Sequence, residues 1–316
     1  MTDQVGRRRI FGSGLVGEAT TAVYMALIAA IAQGTGLFYM LFPELGALSH
    51  DILKRPYGTW ARAPVMLIVT PFLTAVVGIW VTRHLAYGFV SVLLTIGSAI
   101  FIIWLLKSPI APAISAGLLP LTIGLPSWWY PPSLLVGTGL LAAIATVRRR
   151  RTGAPEVTPS SSNWADDGVE EPPRDYSWMP FFLGFLLAAI LLASLTGWRF
   201  VLFPPLVVIA FEMFAHASVC PWAGRPLILP VACGLTATAG VFIVGLLGVG
   251  PLAAACTVVF GATVLRTFDL HVPPAIAVGL LPFVMTNPSY DYPVSVAIGT
   301  LLLMLTFLAW RKLASS

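Results

Sequence analysis

Apolar runs of membrane-spanning length recur along this chain, and they constrain the fold more than any other feature. Two of them cover about residues 64–82 and 85–106, and only Arg83 and His84 separate them. A transmembrane helix needs roughly 17–25 mainly apolar residues, because lipid offers no hydrogen bonds to the backbone. Charged residues are only 10% of the chain, against roughly 25% in a soluble domain. The sequence therefore predicts an all-α, polytopic transmembrane helical bundle whose main partner is the lipid bilayer.

An internal repeat divides these runs into two halves. The segment 112–120 matches the segment 274–282 at seven of nine positions, 162 residues apart. Gly78 and Gly240 are separated by the same offset, as are Tyr130 and Tyr292. A shared offset indicates a tandem duplication. With an even number of spans in each half, the two repeats are predicted to be parallel, related by an axis along the membrane normal.

Basic residues predict the orientation. If each half makes six crossings and starts in the cytoplasm, sixteen of the eighteen Lys and Arg residues are cytoplasmic, and only Arg83 and Arg199 lie outside. The net charge of +5 then reflects topology and not a nucleic-acid partner. We expect a multi-pass protein of the cell (inner) membrane with both termini in the cytoplasm. Short segments such as 44–53 are alternatively half-helices, which lowers the number of spans but keeps both termini inside.

The domain boundaries follow from composition. Residues 1–19 form a cytoplasmic N-terminal segment, 20–151 the first membrane repeat, 178–312 the second repeat and 313–316 a C-terminal tail. Between the repeats, residues 152–177 are rich in Pro, Ser and Thr and hold six of the thirteen acidic residues. Such a composition buries little apolar surface, so this segment is predicted to be a flexible acidic linker.

Proline-started segments are the first candidate site. They follow Pro109 and Pro112 in the first half, and Pro273 and Pro274 in the second. Proline favours extended backbone in the residue before it, so each segment is expected to begin with a break and a new helix N-terminus. Two such ends near the repeat axis would attract an anion. In the alternative interpretation, the prolines only start a membrane helix at the interface.

The second candidate is a charged set before one of these segments. Arg266 and Asp269 are three residues apart and are expected to pair on one helix face, and Lys107 is the match of Asp269 in the first half. His271 follows, and an imidazole can carry a proton near neutral pH. The alternative is an ordinary ion pair at the cytoplasmic rim.

A third candidate is the pair Glu212 and His216, four residues apart in an apolar segment. The 162-residue offset matches them to His50 and Lys54. Ionisable groups inside membrane segments are costly and therefore point to function. Because no further ligands cluster around this pair, we predict no metal site.

Two further basic residues, Arg62 and Arg225, stand shortly before prolines that start spans. Each is suited either to binding an anion or to reaching the lipid headgroups. The sequence holds no Ser–His–Asp arrangement, phosphate-binding loop or cysteine pair. We therefore predict neither an enzyme nor a cofactor.

One stretch resembles a known family. Gly250-Pro-Leu-Ala-Ala-Ala255, followed by Leu265-Arg-Thr-Phe-Asp-Leu-His-Val-Pro-Pro-Ala275, is similar to the signature of the HPP family of integral membrane proteins. Trp222-Ala-Gly-Arg-Pro226 also resembles a loop of that family. In this chain Val272 interrupts the His-Pro-Pro motif, and the first half has no histidine there. The resemblance implies a compact helical membrane domain and movement of a small anion, since some plant members are linked to nitrite transport.

Together these features predict a membrane transporter or channel for a small solute, such as a nitrite-like anion, bound where the two repeats meet. The alternative is a non-transporting membrane sensor, assembly factor or scaffold. The sequence leaves open the solute, the choice between channel and coupled carrier, and whether the protein is a homo-oligomer.

Overall fold

Helices make up the regular structure of the part of the chain that the computed structural model describes, which is residues 2–152, 168–170, 173 and 175–314. The helices of the first half are α1 (Thr2–Thr35), α2 (Glu44–Lys54), α3 (Thr59–Arg62), α4 (Pro64–His84), α5 (Phe89–Leu106), α6 (Ala113–Ile123) and α7 (Tyr130–Thr152). Those of the second half are α8 (Met179–Thr196), α9 (Pro204–Ala215), α10 (Leu229–Leu247), α11 (Pro251–Thr267), α12 (Pro274–Leu280) and α13 (Asp291–Ala314). No strand occurs among these residues, so the predicted all-α class is confirmed.

Long apolar helices confirm a membrane protein, but six full crossings in each half is wrong. Within the described residues, seven helical segments have the length and composition to cross a membrane, namely Leu15–Thr35, Pro64–His84, Phe89–Leu106, Tyr130–Arg151, Met179–Thr196, Pro226–Leu247 and Asp291–Leu313. The apolar helix α11 has 17 residues and occupies the place that α5 holds in the first half. Helices α2, α6, α9 and α12 are too short to cross, as in the half-helix alternative.

Left-handed glycines end the first long helix of each half. Gly36 has φ +73° and Gly197 has φ +75°, a conformation that other residues adopt only with strain. Each is followed by a 3₁₀ turn, at Phe38–Met40 and Arg199–Leu202. The first long helix therefore ends at Thr35, before the turn that leads to α2.

The two halves contact each other reciprocally. Helix α2 packs on α12 and α9 on α6, while α1 packs on α11 and α8 on α5. Such exchanged contacts are those of two repeats related by a two-fold axis. The packing is close, since a Cβ added at Gly46 of α2 would lie 2.3 Å from Leu280 Cδ1 of α12.

The short helix α6 begins beside the middle of the long helix α4. The Thr74 hydroxyl of α4 donates to the Ala113 carbonyl at the start of α6, with an O···O distance of 2.7 Å. At the other end, Arg83 Nη1 donates to the Pro126 carbonyl just after α6. Helix α6 therefore covers only the second half of α4, and its N-terminus lies inside the bundle.

Matching glycines allow the short helices α6 and α12 to approach the long ones. A Cβ added at Gly78 would lie 2.0 Å from the Gly117 carbonyl oxygen, and one added at Gly240 would lie 2.1 Å from that of Gly279. Small residues at a helix crossing let two backbones come together in this way. The duplication thus preserves the contact that places α6 and α12.

Tyrosines contact the same two helices. Tyr130 Oη donates to the Ala116 carbonyl over 3.0 Å, and Tyr292 Oη donates to the Val278 carbonyl over 2.7 Å. Both tyrosines are almost fully buried. Each short helix is therefore held by a close glycine contact and by a tyrosine hydroxyl.

Candidate functional site

Charged side chains collect where the short helices of both halves meet. Glu44 lies in the first turn of α2 and is fully buried. Its Oε1 accepts a hydrogen bond from Ser115 Oγ of α6 over 2.7 Å, while its Oε2 is buried without a hydrogen-bond partner. An unsatisfied buried oxygen costs about 1–3 kcal/mol. A carboxyl group kept at such a cost is a functional candidate.

A carboxylate and a guanidinium end the same helix. Arg55 is the C-cap residue of α2, and its Nε donates to Asp51 Oδ1 over 2.7 Å. Asp51 is fully buried, and burial alone would raise its pKa, but the neighbouring Arg55 and His271 hold the pKa of this carboxyl below its usual range. Arg55 is itself only 9% exposed. The pair therefore places a fixed positive charge and a fixed negative charge inside the protein.

Glu170, from the segment between the repeats, completes this arrangement. Arg55 Nη2 donates to its Oε1, and the backbone N–H of Trp60 donates to its Oε2 over 3.2 Å. Trp60 is held in turn by its indole N–H, which donates to the Pro109 carbonyl over 2.9 Å. Both oxygens of one carboxylate are thus bound by groups of the first repeat.

His271 brings the second repeat to the same place. Its Nε2 lies 3.6 Å from Asp51 Oδ1, and its side chain is 23% exposed. It faces a small cleft, whose lining is Trp60, Val169, Glu170, Glu212, Pro221, Trp222, His271 and Pro273. Of the residues predicted from sequence, His271, Pro273 and Glu212 therefore meet in one cleft.

Helix capping explains why His271 points there. Asp269 has φ +49°, and the N–H of Leu270 donates to the Leu265 carbonyl over 2.8 Å, as at many helix C-termini. Lys107 has φ +48°, and the N–H of Ser108 donates to the Ile103 carbonyl in the same way. The match between Lys107 and Asp269 is thus a shared turn between two helices. The turn delivers the chain to Pro112 or Pro274, where the short helix starts as predicted.

The predicted pairing of Arg266 with Asp269 on one helix face is wrong. Helix α11 ends at Thr267, so Asp269 lies outside it. Arg266 instead pairs with Glu18 of α1. Asp269 has a 94% exposed side chain whose Oδ2 is 3.8 Å from Arg225 Nη1. Arg266, Asp269 and Arg225 lie at the surface and do not line the cleft. Arg62, at the end of α3, is also exposed.

The predicted counterparts of Glu212 and His216 are also wrong. His216 is the C-cap of α9 and its N–H bonds to the Glu212 carbonyl, just as the N–H of Arg55 bonds to the Asp51 carbonyl. The offset is therefore 161 residues in these helices and becomes 162 by Trp60, because the loops after them differ by one residue. Glu212 corresponds to Asp51, and His216 corresponds to Arg55.

Of the residues predicted with Glu212 and His216, one is buried in the protein and the other is exposed. His50 is 3% exposed and its Nδ1 has no hydrogen-bond partner, whereas Lys54 is exposed. Glu212 is 1% exposed, and its Oε2 is likewise buried without a partner. Within the described residues, no group of three or more His, Cys, Asp or Glu side chains is arranged to hold a metal ion.

Sequence reasoning missed four residues of the site: Glu44, Asp51, Arg55 and Glu170. The i, i+4 spacing of Asp51 and Arg55 at the end of a mainly apolar segment was a usable signal. Glu44 is the other acidic residue of the same segment and has no basic residue four positions away. Glu170 gave no signal, because it is one of six acidic residues in a polar stretch.

Comparison with protein-family models, with curated proteins and with solved structures found no match to this chain.

Proposed function

We propose that this protein is a membrane transporter that moves a small anion, nitrite-like in charge and size, through the cleft between the two repeats. One observation carries the proposal: short helices from both halves meet inside the bundle around ionisable groups. Broken helices and buried charges at the interface of two repeats are features of secondary transporters. The resemblance to the HPP family supports the same function.

The charges at the site suit an anion that travels with a proton. Arg55 supplies a positive charge that persists at all physiological pH values. His271 adds an imidazole 3.6 Å from Asp51, and imidazoles are common proton carriers. Glu212, whose Oε2 has no hydrogen-bond partner, is a further ionisable group of the same cleft. The site thus has the means both to attract an anion and to compensate its charge.

Orientation follows from the basic residues. We propose that both termini and the segment between the repeats face the cytoplasm of a cell whose inner membrane holds the protein, because Lys and Arg concentrate on that side. The cleft with Glu170 and His271 then opens toward the cytoplasm. A second cleft, lined in part by Arg199, Asn287 and Asp291, lies at the opposite ends of the helices.

The test is uptake into proteoliposomes that contain the purified protein. We expect saturable nitrite uptake, driven by an inward proton gradient, and no uptake of uncharged solutes of similar size. The variant His271→Ala should lower uptake about 10- to 100-fold, the effect of losing one charge-assisted hydrogen bond. His84→Ala is the matched control, because His84 is an exposed histidine at the C-terminal end of α4 and does not line the cleft.

The outcomes separate the alternatives. Uptake that does not saturate would favour a channel over a carrier. Uptake that does not depend on the pH gradient would support anion transport but refute its coupling to protons. Absence of uptake for every small anion tried, from well-folded protein, would refute the proposal and favour a sensor, assembly factor or scaffold.

A further inference from the structure

Glu170 occupies what has the form of an anion-binding site. Its two oxygens are bound separately, one by the Arg55 guanidinium and the other by the Trp60 backbone N–H. The carboxylate comes from the segment between the repeats, 115 residues after Arg55 in the chain. It is 5% exposed, and its neighbour Val169 is also 5% exposed. A side chain from outside the bundle is therefore inserted into the cleft.

The binding groups are fixed by contacts that do not involve Glu170. Asp51 Oδ1 lies 2.7 Å from Arg55 Nε and 2.6 Å from its Nη2, so it fixes the guanidinium, and Nη2 also donates to the Glu170 carboxylate. The indole N–H of Trp60 is bonded to the Pro109 carbonyl, which holds Trp60 in position. A donor set held in place by a second layer of contacts binds its ligand with little loss of conformational freedom. This layer includes Asp51 from α2 and Pro109 from the turn before α6.

The geometry also indicates which ligands fit. Arg55 and the Trp60 amide meet two oxygens of one planar group, as in a carboxylate. Nitrite, formate and acetate each present two equivalent oxygens in this way. The walls include Trp60, Trp222 and Pro273. The Asp51 carboxylate is bonded to the same guanidinium, so anions with more than one negative charge are disfavoured.

We propose that Arg55 and the Trp60 amide form the anion-binding site of the transporter for small planar two-oxygen anions, and that Glu170 is a built-in competitor for it. The proposal rests on the proposed function and specifies its substrate class and its regulation. A tethered carboxylate acts at an effective concentration in the millimolar range or above. Free anions must therefore displace Glu170 before they bind, and the protein is self-inhibited when they are scarce.

The experiment measures acetate binding to the purified full-length chain in detergent, by calorimetry and by thermal stabilisation. Glu170→Ala removes the competitor and leaves a space for acetate. We expect acetate to bind this variant about 10- to 100-fold more tightly than the native protein, as expected for two charge-assisted hydrogen bonds made available. Acetamide, which has the same shape and no charge, should not bind.

Two variants test the interpretation. Asp175→Asn removes a negative charge from an exposed residue of the same region and should leave acetate binding unchanged. Glu170→Gln keeps the shape of the side chain but removes its negative charge and replaces one of its two acceptor oxygens by an NH2 group, which cannot accept from Arg55 or from the Trp60 N–H. It should therefore also bind acetate more tightly than the native protein. This second variant decides the matter if Glu170→Ala does not fold.

Equal acetate affinity in the native protein and in both folded Glu170 variants would overturn the proposal, and so would equal binding of acetamide. The result is independent of transport. Tight acetate binding by Glu170→Ala without uptake in liposomes would support the site and refute the transporter. Proton-driven nitrite uptake that is unaffected by Glu170→Ala would support the transporter and refute the role of Glu170 as a competitor.

Discussion

A methyl group added at Gly78 tests whether α6 lies where the structure places it. Built on the native backbone, the Cβ of Gly78→Ala would lie 2.0 Å from the Gly117 carbonyl oxygen. Side chains essentially never approach closer than 3.0 Å, so α4 and α6 must separate by about 1 Å. The obstacle is backbone and not the end of a flexible side chain, so rotation of a side chain cannot relieve it.

The expected cost follows from two opposing terms. Forcing extra volume into a packed interior costs about 1–3 kcal/mol, and a backbone clash belongs at the upper end. Alanine is favoured over glycine inside a helix by about 0.5–1 kcal/mol. We therefore expect Gly78→Ala to lower the free energy of unfolding by about 2–2.5 kcal/mol. Gly240→Ala should do the same, because its Cβ would lie 2.1 Å from the Gly279 carbonyl oxygen.

The measurement is reversible unfolding of the purified protein in mixed micelles, together with thermal unfolding. Gly97→Ala and Gly234→Ala are matched controls, since both glycines are helical and an added Cβ would meet nothing within 4 Å. These two variants should be neutral or slightly more stable. If Gly78→Ala and Gly240→Ala behave like the controls, the close crossings are absent and the placement of α6 and α12 is refuted.

Two further predictions concern the groups around these helices. Tyr130→Phe and Tyr292→Phe each remove a hydroxyl that donates to a carbonyl of a short helix, so each should lower the free energy of unfolding by about 1 kcal/mol. The double variant should lower it by about twice that amount. A strongly non-additive effect of the double variant in the same micelle assay would contradict independent roles of the two tyrosines. Ser115→Ala removes the donor to Glu44 Oε1 and should cost about 1–3 kcal/mol. Ser98→Ala is its control, because that hydroxyl bonds only to its own helix, and equal effects of the two serine variants would show that the contact with Glu44 contributes nothing.

Local sequence patterns predicted the parts of the fold that depend on local chemistry. Apolar length predicted the long helices, and Pro112 and Pro274 predicted where the short helices begin. The matched Gly78 and Gly240 indicate the duplication, but the sequence does not reveal that their role is a backbone contact. That role depends on which helices cross, and the crossing involves residues 39 positions apart in both halves.

The site was harder to predict, because its key contacts join residues that are distant in the chain. Glu170 meets Arg55 across 115 positions, and no periodicity marks such a pair. The predicted residues Arg266, Asp269 and His271 lie within six positions of one another in the chain, yet only His271 reaches the cleft. Asp269 takes a left-handed conformation at the end of α11, and this turn directs its side chain to the surface.

The ends of α2 and α9 correspond to each other although their residues are not identical. With the corrected offset, the end of α2 carries Asp51 and Arg55, and the end of α9 carries Glu212 and His216. Both helices thus end in an acid followed four residues later by a base, but the two bases differ in chemistry. A guanidinium stays charged at every physiological pH, while an imidazole changes its charge near neutrality. The duplication has therefore kept the acid at the end of both short helices and changed the base, from a guanidinium in the first repeat to an imidazole in the second. The anion site that we propose at Arg55 accordingly belongs to the first repeat alone.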